Sequence, residues 1–219
     1  MIRIQGLRKS FGGQPVLRGV NLDVATGEIM VIIGRSGGGK SVLLKHLLGL
    51  LRPDAGAVLV DGTDITRLRG AGLEAVRRRY GVVFQGGALF DSMSVFDNVA
   101  FPLYEKTKMS AAEIARRVEE KLAQVGLVDM GHKNPAEISG GMRKRVAIAR
   151  ALVNDPQLIL ADEPTGNLDP DLSFEIMNLF REINARGTTV VVATHDRELI
   201  QRVGRRSIAL DHGRLVEVA

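Results

Sequence analysis

The chain has 219 residues, about one and a half times the usual ~150-residue domain, so one large domain or a core with an insert is expected rather than two full domains. With 45% hydrophobic and 25% charged residues it falls outside the disordered, collagen-like and coiled-coil classes, and no apolar run nears the ~18 residues that span a bilayer. A net charge of +5 leaves phosphates, anionic membranes and nucleic acid open as partners, but 4% aromatic residues without Trp make a poor base-stacking platform, and no nucleic-acid partner is expected. The absence of Cys rules out disulfides and cysteine zinc sites. The first residues lack the charged and apolar regions of a secretory signal, so a cytoplasmic location is expected.

In chain order, 2–7, 16–24 and 57–60 read as strands with Gly-rich turns and no helix between the first two, which predicts an antiparallel β layer near the N-terminus. Residues 28–33 then form an apolar strand and 40–50 a helix. The same alternation recurs at 158–161 and 172–184, predicting an α/β domain with a largely parallel sheet. Between Gln85 and Leu152 strand signals vanish. There Ser110-Ala-Ala-Glu113 is a capping box opening an amphipathic helix to about Val125, with Gly126 as its stop. The predicted organisation is a core of 1–84 and 153–219 with a helical insert of 85–152. Asp61-Gly62, Asp155-Pro156 and His212-Gly213 are turn signals. The basic runs Arg77-Arg78-Arg79 and Arg205-Arg206 are expected on solvated helix faces or strand ends.

Gly34-Arg35-Ser36-Gly37-Gly38-Gly39-Lys40-Ser41 fits the phosphate-loop pattern and lies between an apolar strand and a helix, as that mechanism requires. Glycines let backbone N–H groups curl around a β-phosphate, and the helix that follows, with Val42 in its first turn, points its positive end at the anion. Lys40 would neutralise the β/γ oxygens and Ser41 would ligate Mg²⁺. A second acidic element is Asp162-Glu163, at the end of the buried-strand run 158–161. Because adjacent strand side chains point to opposite faces, the two carboxylates are expected to take two tasks: Asp162 holding Mg²⁺ through water, Glu163 acting as general base on the attacking water. The Asn-Lys-x-Asp element of GTPases is missing, whereas a small-molecule kinase is compatible with these two motifs alone.

Ile138-Ser139-Gly140-Gly141-Met142-Arg143-Lys144-Arg145 precedes a helical run, 146–152, and lies just upstream of the strand that ends at Asp162. In this order and spacing the chain resembles ATP-binding-cassette ATPases over essentially its whole length. The resemblance implies a phosphate-loop NTPase core with an N-terminal antiparallel β layer and an inserted helical subdomain. It further implies that Gln85 is the Q-loop residue, sensing Mg²⁺ and coupling the site to the insert. Asp169 matches the D-loop, His195 the switch histidine beside Glu163, and Phe11 the aromatic that stacks on adenine. Ser139, Gly140 and Gly141 would form a second anion site for the γ-phosphate of ATP held by the other subunit of a head-to-tail homodimer.

Segments of 34–152, including Phe84-Gln-Gly-Gly-Ala-Leu-Phe-Asp-Ser-Met93 and Ser139-Gly-Gly-Met-Arg-Lys-Arg145, resemble Mla-type phospholipid transporter ATPases. From about Ala151 onward, Leu160-Ala-Asp-Glu-Pro-Thr-Gly-Asn-Leu-Asp-Pro170 and Ala193-Thr-His-Asp196 resemble the cell-division ATPase FtsE. The pattern suggests a mosaic with a seam near Leu152, an intermediate subfamily being the alternative. The expected function is an ATP-hydrolysing subunit that drives a separate integral membrane permease at the inner face of the bacterial inner membrane, with phospholipid as cargo. The alternative is an FtsE-like regulator of cell-wall hydrolysis acting through an FtsX-type partner without transport. With the sequence ending at Ala219, the C-terminal extension that Mla-type ATPases can use in partner and dimer contacts is not expected to contribute.

Overall fold

The computed structural model describes residues 1–196 and 206–217; Arg205 of the second basic run and the chain end at Ala219 lie outside the described residues. Strands β1 (Ile2–Phe11), β2 (Gln14–Val24), β4 (Ala55–Val60) and β5 (Thr63–Asp64) make an antiparallel sheet of order β2-β1-β4-β5. Asp61 and Gly62, at φ 47° and 79°, supply the left-handed pair that a tight hairpin between β4 and β5 needs. Gly56 is obligatory for close approach, since a Cβ there would stand 2.5 Å from the carbonyl oxygens of Gln5 and Gly6 where β1 is bulged.

The second sheet has the order β10-β9-β3-β8-β7-β6, built from β3 (Ile29–Ile33), β6 (Tyr80–Val83), β7 (Leu158–Asp162), β8 (Thr189–Thr194), β9 (Ser207–Asp211) and β10 (Arg214–Glu217). All neighbouring pairs are parallel except the β9–β10 hairpin, which turns at His212-Gly213. Strand alternation splits the buried side chains between two cores. Ile29, Val31, Ile33, Ile159, Ala161, Val190 and Val192 face the helices α3 (Val95–Lys106), α4 (Ala111–Gln124), α5 (Gly140–Leu152) and α6 (Pro170–Ala185). Met30, Ile32, Leu158, Leu160, Val191 and Ala193 face the antiparallel sheet and α1 (Lys40–Leu47). The helical stretch after Gln85 therefore shares its core with one face of the parallel sheet.

Side-chain caps start the helices α3 to α6. Ser94 accepts the amide of Asp97 to open α3, and Ser110 and Glu113 make the expected reciprocal capping box on α4. At the end of α4, Gly126 adopts φ 73°, matching the anticipated stop. The buried Asn98 donates to the carbonyls of Phe90, Met93 and Ser94 and accepts the Phe90 amide, tying down the loop ahead of α3. Contact between α5 and the sheet depends on Gly81 of β6, where a Cβ would meet the Ala151 carbonyl oxygen at 2.4 Å.

The first basic run departs from the expectation of plain solvation. Arg78 is exposed, but Arg77 donates to the Leu48 and Gly49 carbonyls at the end of α1, and Arg79 pairs with Asp61 and Gln157. These arginines bind helix α2 (Gly70–Arg77) and the start of β6 to their neighbours. No helix among the described residues is long and apolar enough to cross a membrane.

Candidate nucleotide site

Four neighbouring parallel strands, β3, β8, β7 and β6, end at one edge of the sheet, and each delivers a sequence-predicted residue into the turn beyond its last position. The loop after β3 holds Gly34–Ser41, β8 is followed by His195, β7 ends at Asp162 before Glu163, and Gln85 lies two residues beyond β6. The carboxyl edge of an α/β sheet is where ligands bind in such architectures.

The phosphate loop has the backbone its glycines permit. Gly37 and Gly39 take φ of 78° and 100°, and a Cβ on Gly34 would lie 2.6 Å from the Leu210 carbonyl oxygen of β9. Gly38 turns in to donate its amide to the Arg35 carbonyl at 3.0 Å, while Arg35, Ser36 and Gly37 are exposed. Helix α1 begins at Lys40 with Gly39 as its N-cap, no side chain capping it and no acid in its first turn, so the first-turn amides have no side-chain acceptor. Ser41 and Val42 follow, both half-buried.

Lys40 is only 5% exposed. Its Nζ donates to the carbonyls of Gly34 at 2.7 Å and Arg35 at 3.2 Å and pairs with Glu163 Oε1 at 3.1 Å. The other carboxylate oxygen of Glu163, Oε2, lies 2.8 Å from Nδ1 of the largely exposed His195. Three predicted residues thus form a continuous chain of polar contacts. The strand-alternation argument for Glu163 does not hold, because β7 ends at Asp162 and Glu163 adopts φ 48°, with its amide held by the Ala193 carbonyl. A left-handed non-glycine residue costs energy, and here it turns the carboxylate out of the strand and onto Lys40 and His195.

Asp162 has a buried Oδ1 with no hydrogen-bond partner. An orphaned carboxylate oxygen at the end of β7 fits a hydrated divalent cation; Ser41 is half-buried and Gln85 exposed. Among the described residues no cluster of three His, Asp or Glu side chains could hold a metal by itself, so such a cation would depend on phosphate oxygens and water.

The remaining predicted residues stand apart from this cluster. Phe11, at the end of β1, is 46% exposed, with the Lys9 ammonium 5.5 Å from its ring centroid. Ser139 is exposed and caps α5 by accepting the Met142 amide at 3.2 Å, with Gly140 and Gly141 as the first helical residues and no acid in the first turn. Asp169 is the N-cap of α6, accepting the amides of Asp171 and Leu172. Among the described residues none of Phe11, Ser139 and Asp169 hydrogen-bonds the phosphate loop.

Two cations near the site were not singled out from sequence. Arg150 donates to the carbonyls of Gly87 at 2.6 Å and Ala88 at 2.8 Å, pinning the turn after Gln85, in which Gly86, Gly87 and Ala88 all have positive φ. It lines a groove with Phe84, Phe90, Phe101 and Lys106, and burial pushes its pKa down. Lys144 of α5 is buried, and its Nζ has no hydrogen-bond partner among the described residues.

Comparison with known proteins identifies the family. The chain is 49% identical over 203 residues to the probable ribonucleotide transport ATP-binding protein mkl of Mycobacterium leprae, covering 92% of this chain but only 58% of that protein. It is 45% identical over 216 residues to the cell division ATP-binding protein FtsE of Escherichia coli, covering 98% and 97% of the two chains. A dimeric structure of the ATP-binding cassette MJ0796 bound to ADP and Pi superposes with a TM-score of 0.89 at 36% identity, over 100% of this chain and 99% of that one. The family model described as ABC transporter matches residues 17–166, and with near full-length relatives on the same fold the chain belongs to the ABC transporter family as one of its ATP-binding cassettes.

Proposed function

We propose that two copies of this chain hydrolyse ATP in a head-to-tail dimer and so drive a separate membrane protein. The observation that carries the reading is the contact chain Lys40–Glu163–His195 at the carboxyl edge of the sheet. To bind ATP, Lys40 exchanges the Glu163 carboxylate for β/γ oxygens, and the first amides of α1 take the β-phosphate. Released, Glu163 accepts a proton from the water that attacks the γ-phosphorus, while the bond from that phosphorus to the β–γ bridging oxygen breaks, giving ADP and phosphate. His195, held at Glu163 Oε2, orients the water and the γ-phosphate. Asp162, Ser41 and Gln85 would hold Mg²⁺, which neutralises charge on the phosphate oxygens.

The second copy supplies Ser139, Gly140 and Gly141 to the γ-phosphate and Asp169 to the facing loop, while Phe11 stacks on adenine. In this reading residues 85–152 act as a helical subdomain within the nucleotide-binding core of 1–84 and 153–219. The Arg150 groove on that subdomain receives the membrane partner, which keeps the cassette at the inner face of the membrane.

Mla-like motifs around Gln85 and Ser139 favour a lipid permease and phospholipid cargo. The FtsE likeness, which spans nearly the whole of both chains, favours the second reading: a cell-division regulator that works through an FtsX-type protein without transport. Co-purification with each class of membrane protein separates them, and retention by the FtsX-type protein alone overturns the transport reading. For the ATPase itself, Glu163→Gln is expected to bind Mg-ATP, to lose about 10²-fold or more in turnover and to elute as a dimer only with Mg-ATP. Unchanged turnover removes Glu163 from the base role.

A further inference from the structure

The hairpin of β1 and β2 carries Phe11 at its tip, opposite Gln14, with Lys9 opposite Leu17. The same stretch of β2 packs on the phosphate loop, where a Cβ on Gly39 would stand 3.3 Å from Val16 Cγ1 and from Leu17 Cδ2. The ring is therefore presented beside the loop by a strand pair that the loop itself touches. Asp54, the residue before β4, clamps this end of β1 through three hydrogen bonds. Its amide donates to the Arg8 carbonyl at 2.9 Å, its Oδ1 accepts the Lys9 ammonium at 2.8 Å, and its Oδ2 accepts the Ser10 amide at 2.6 Å. The register of β1 on β2 shifts between Lys9 and Ser10, so the clamp closes on an irregular step of the strand.

Lys9 is held by this pairing with its side chain only 17% exposed, and its Nζ stands over the Phe11 ring, 5.5 Å from the centroid. An ammonium in that place is attracted by the negative face of the ring quadrupole. Phe11 nevertheless keeps 46% of its surface exposed, so the ring is fixed without being covered. A cation that draws π-electron density to one face leaves the opposite face less electron-rich, which favours stacking a purine there. We propose that Lys9, anchored by Asp54, is a positioning residue for Phe11, fixing the ring with one face on the ammonium and the other turned to the base of the nucleotide. The inference rests on Phe11 stacking on adenine.

The test measures, by calorimetry on the full chain, affinity for Mg-ADP and for magnesium pyrophosphate, which offers phosphates and no base. Phe11→Ala is expected to weaken Mg-ADP about fivefold or more. Lys9→Met, which removes the cation and keeps the apolar stem, is expected to weaken Mg-ADP about threefold while pyrophosphate affinity changes less than about 1.5-fold. Lys9→Arg should stay within about 1.5-fold of the parent for Mg-ADP, because a guanidinium also pairs with a carboxylate and lies over a ring. In the Phe11→Ala background, Lys9→Met should cost less than about 1.5-fold more, since its effect passes through the ring. Equal losses for the two ligands would make Lys9 a phosphate cation, and a loss that persists without the ring would make it a support of the strand; either overturns the proposal. So does Lys9→Arg falling as far as Lys9→Met. If Lys9→Met binds Mg-ADP like the parent while Phe11→Ala does not, the role of Lys9 is overturned and the stacking stands. Parent-like affinity in Phe11→Ala overturns both. Should Lys9→Met fail to fold, Asp54→Asn takes its place with the same deciding outcomes, since it keeps an acceptor for the Ser10 amide and withdraws the charge that holds Lys9.

Discussion

Two helix N-termini in this molecule are candidate anion sites, and they are built differently. Helix α1 begins behind a glycine in the left-handed region, with no side-chain cap, and its first residue, Lys40, is buried and held by two carbonyls and a carboxylate. Helix α5 begins behind an exposed serine that satisfies one of its own amides. The first is a cradle in which Lys40 and His195 each contact Glu163. The second is a surface that its own chain leaves uncovered among the described residues. The difference teaches that half of a phosphate site can be completed inside one chain while the other half is presented outward, and this favours a site shared by two copies.

The largest way to break that comparison is Lys40→Ala. Lys40 is the buried cation of the loop, so ATP affinity by calorimetry is expected to fall about 10²-fold or more; preserved affinity would show that α1 is not the cradle. Ser139→Arg should act on the outward half alone, by adding bulk and charge to a surface meant to meet another copy. ATP affinity of the single chain stays within about twofold, whereas the Mg-ATP dimer of the Glu163→Gln background disappears from the elution profile. A dimer that survives would move the contact elsewhere.

The smallest effect sharpens the α1 side. His46 is 1% exposed, its Nδ1 lies 2.7 Å from the Val42 carbonyl oxygen, and burial pushes its pKa down. The unfolded chain, with histidine near about 6.5, therefore binds a proton more tightly than the folded one. This contribution is complete above about pH 6.5 and is lost as pH falls from there toward the lowered folded value. Replacing His46 with Gln should flatten the decline of melting temperature between about pH 7 and pH 5; an unchanged slope would assign that decline to other groups.

Much of this was legible because the chemistry demands contiguous patterns. The phosphate loop and the capped helix at Ser110 each show a short spacing with a physical reason, and the turn signals at Asp61-Gly62 and His212-Gly213 fall on turns whose residues have positive φ. Helix α2 was not legible, since Gly70 and Gly72 depress its propensity and the Arg77 contacts with the end of α1 supply what local sequence lacks. The left-handed turn at Glu163 was likewise invisible, being imposed by the hydrogen bond to Ala193 on the adjacent strand. Lys144 and Arg150 carry no short-range pattern that separates them from the other cations of α5. Only the fold shows that Lys144 is buried and that the half-buried Arg150 holds the turn after Gln85.

The order of strands in the parallel sheet has a consequence for biosynthesis. Strand β3, which launches the phosphate loop, has as its two sheet neighbours β8 and β9, so that Val31 is opposite Val192 on one side and Ser207 on the other. The Gly34 backbone is moreover pressed by the Leu210 carbonyl oxygen. A chain emerging from the ribosome N-terminus first thus makes its nucleotide loop early and waits for nearly all the rest before that loop has walls. Competence to hold a nucleotide is therefore expected late in synthesis, and a chain cut before β9 is expected to show no ATP binding by calorimetry.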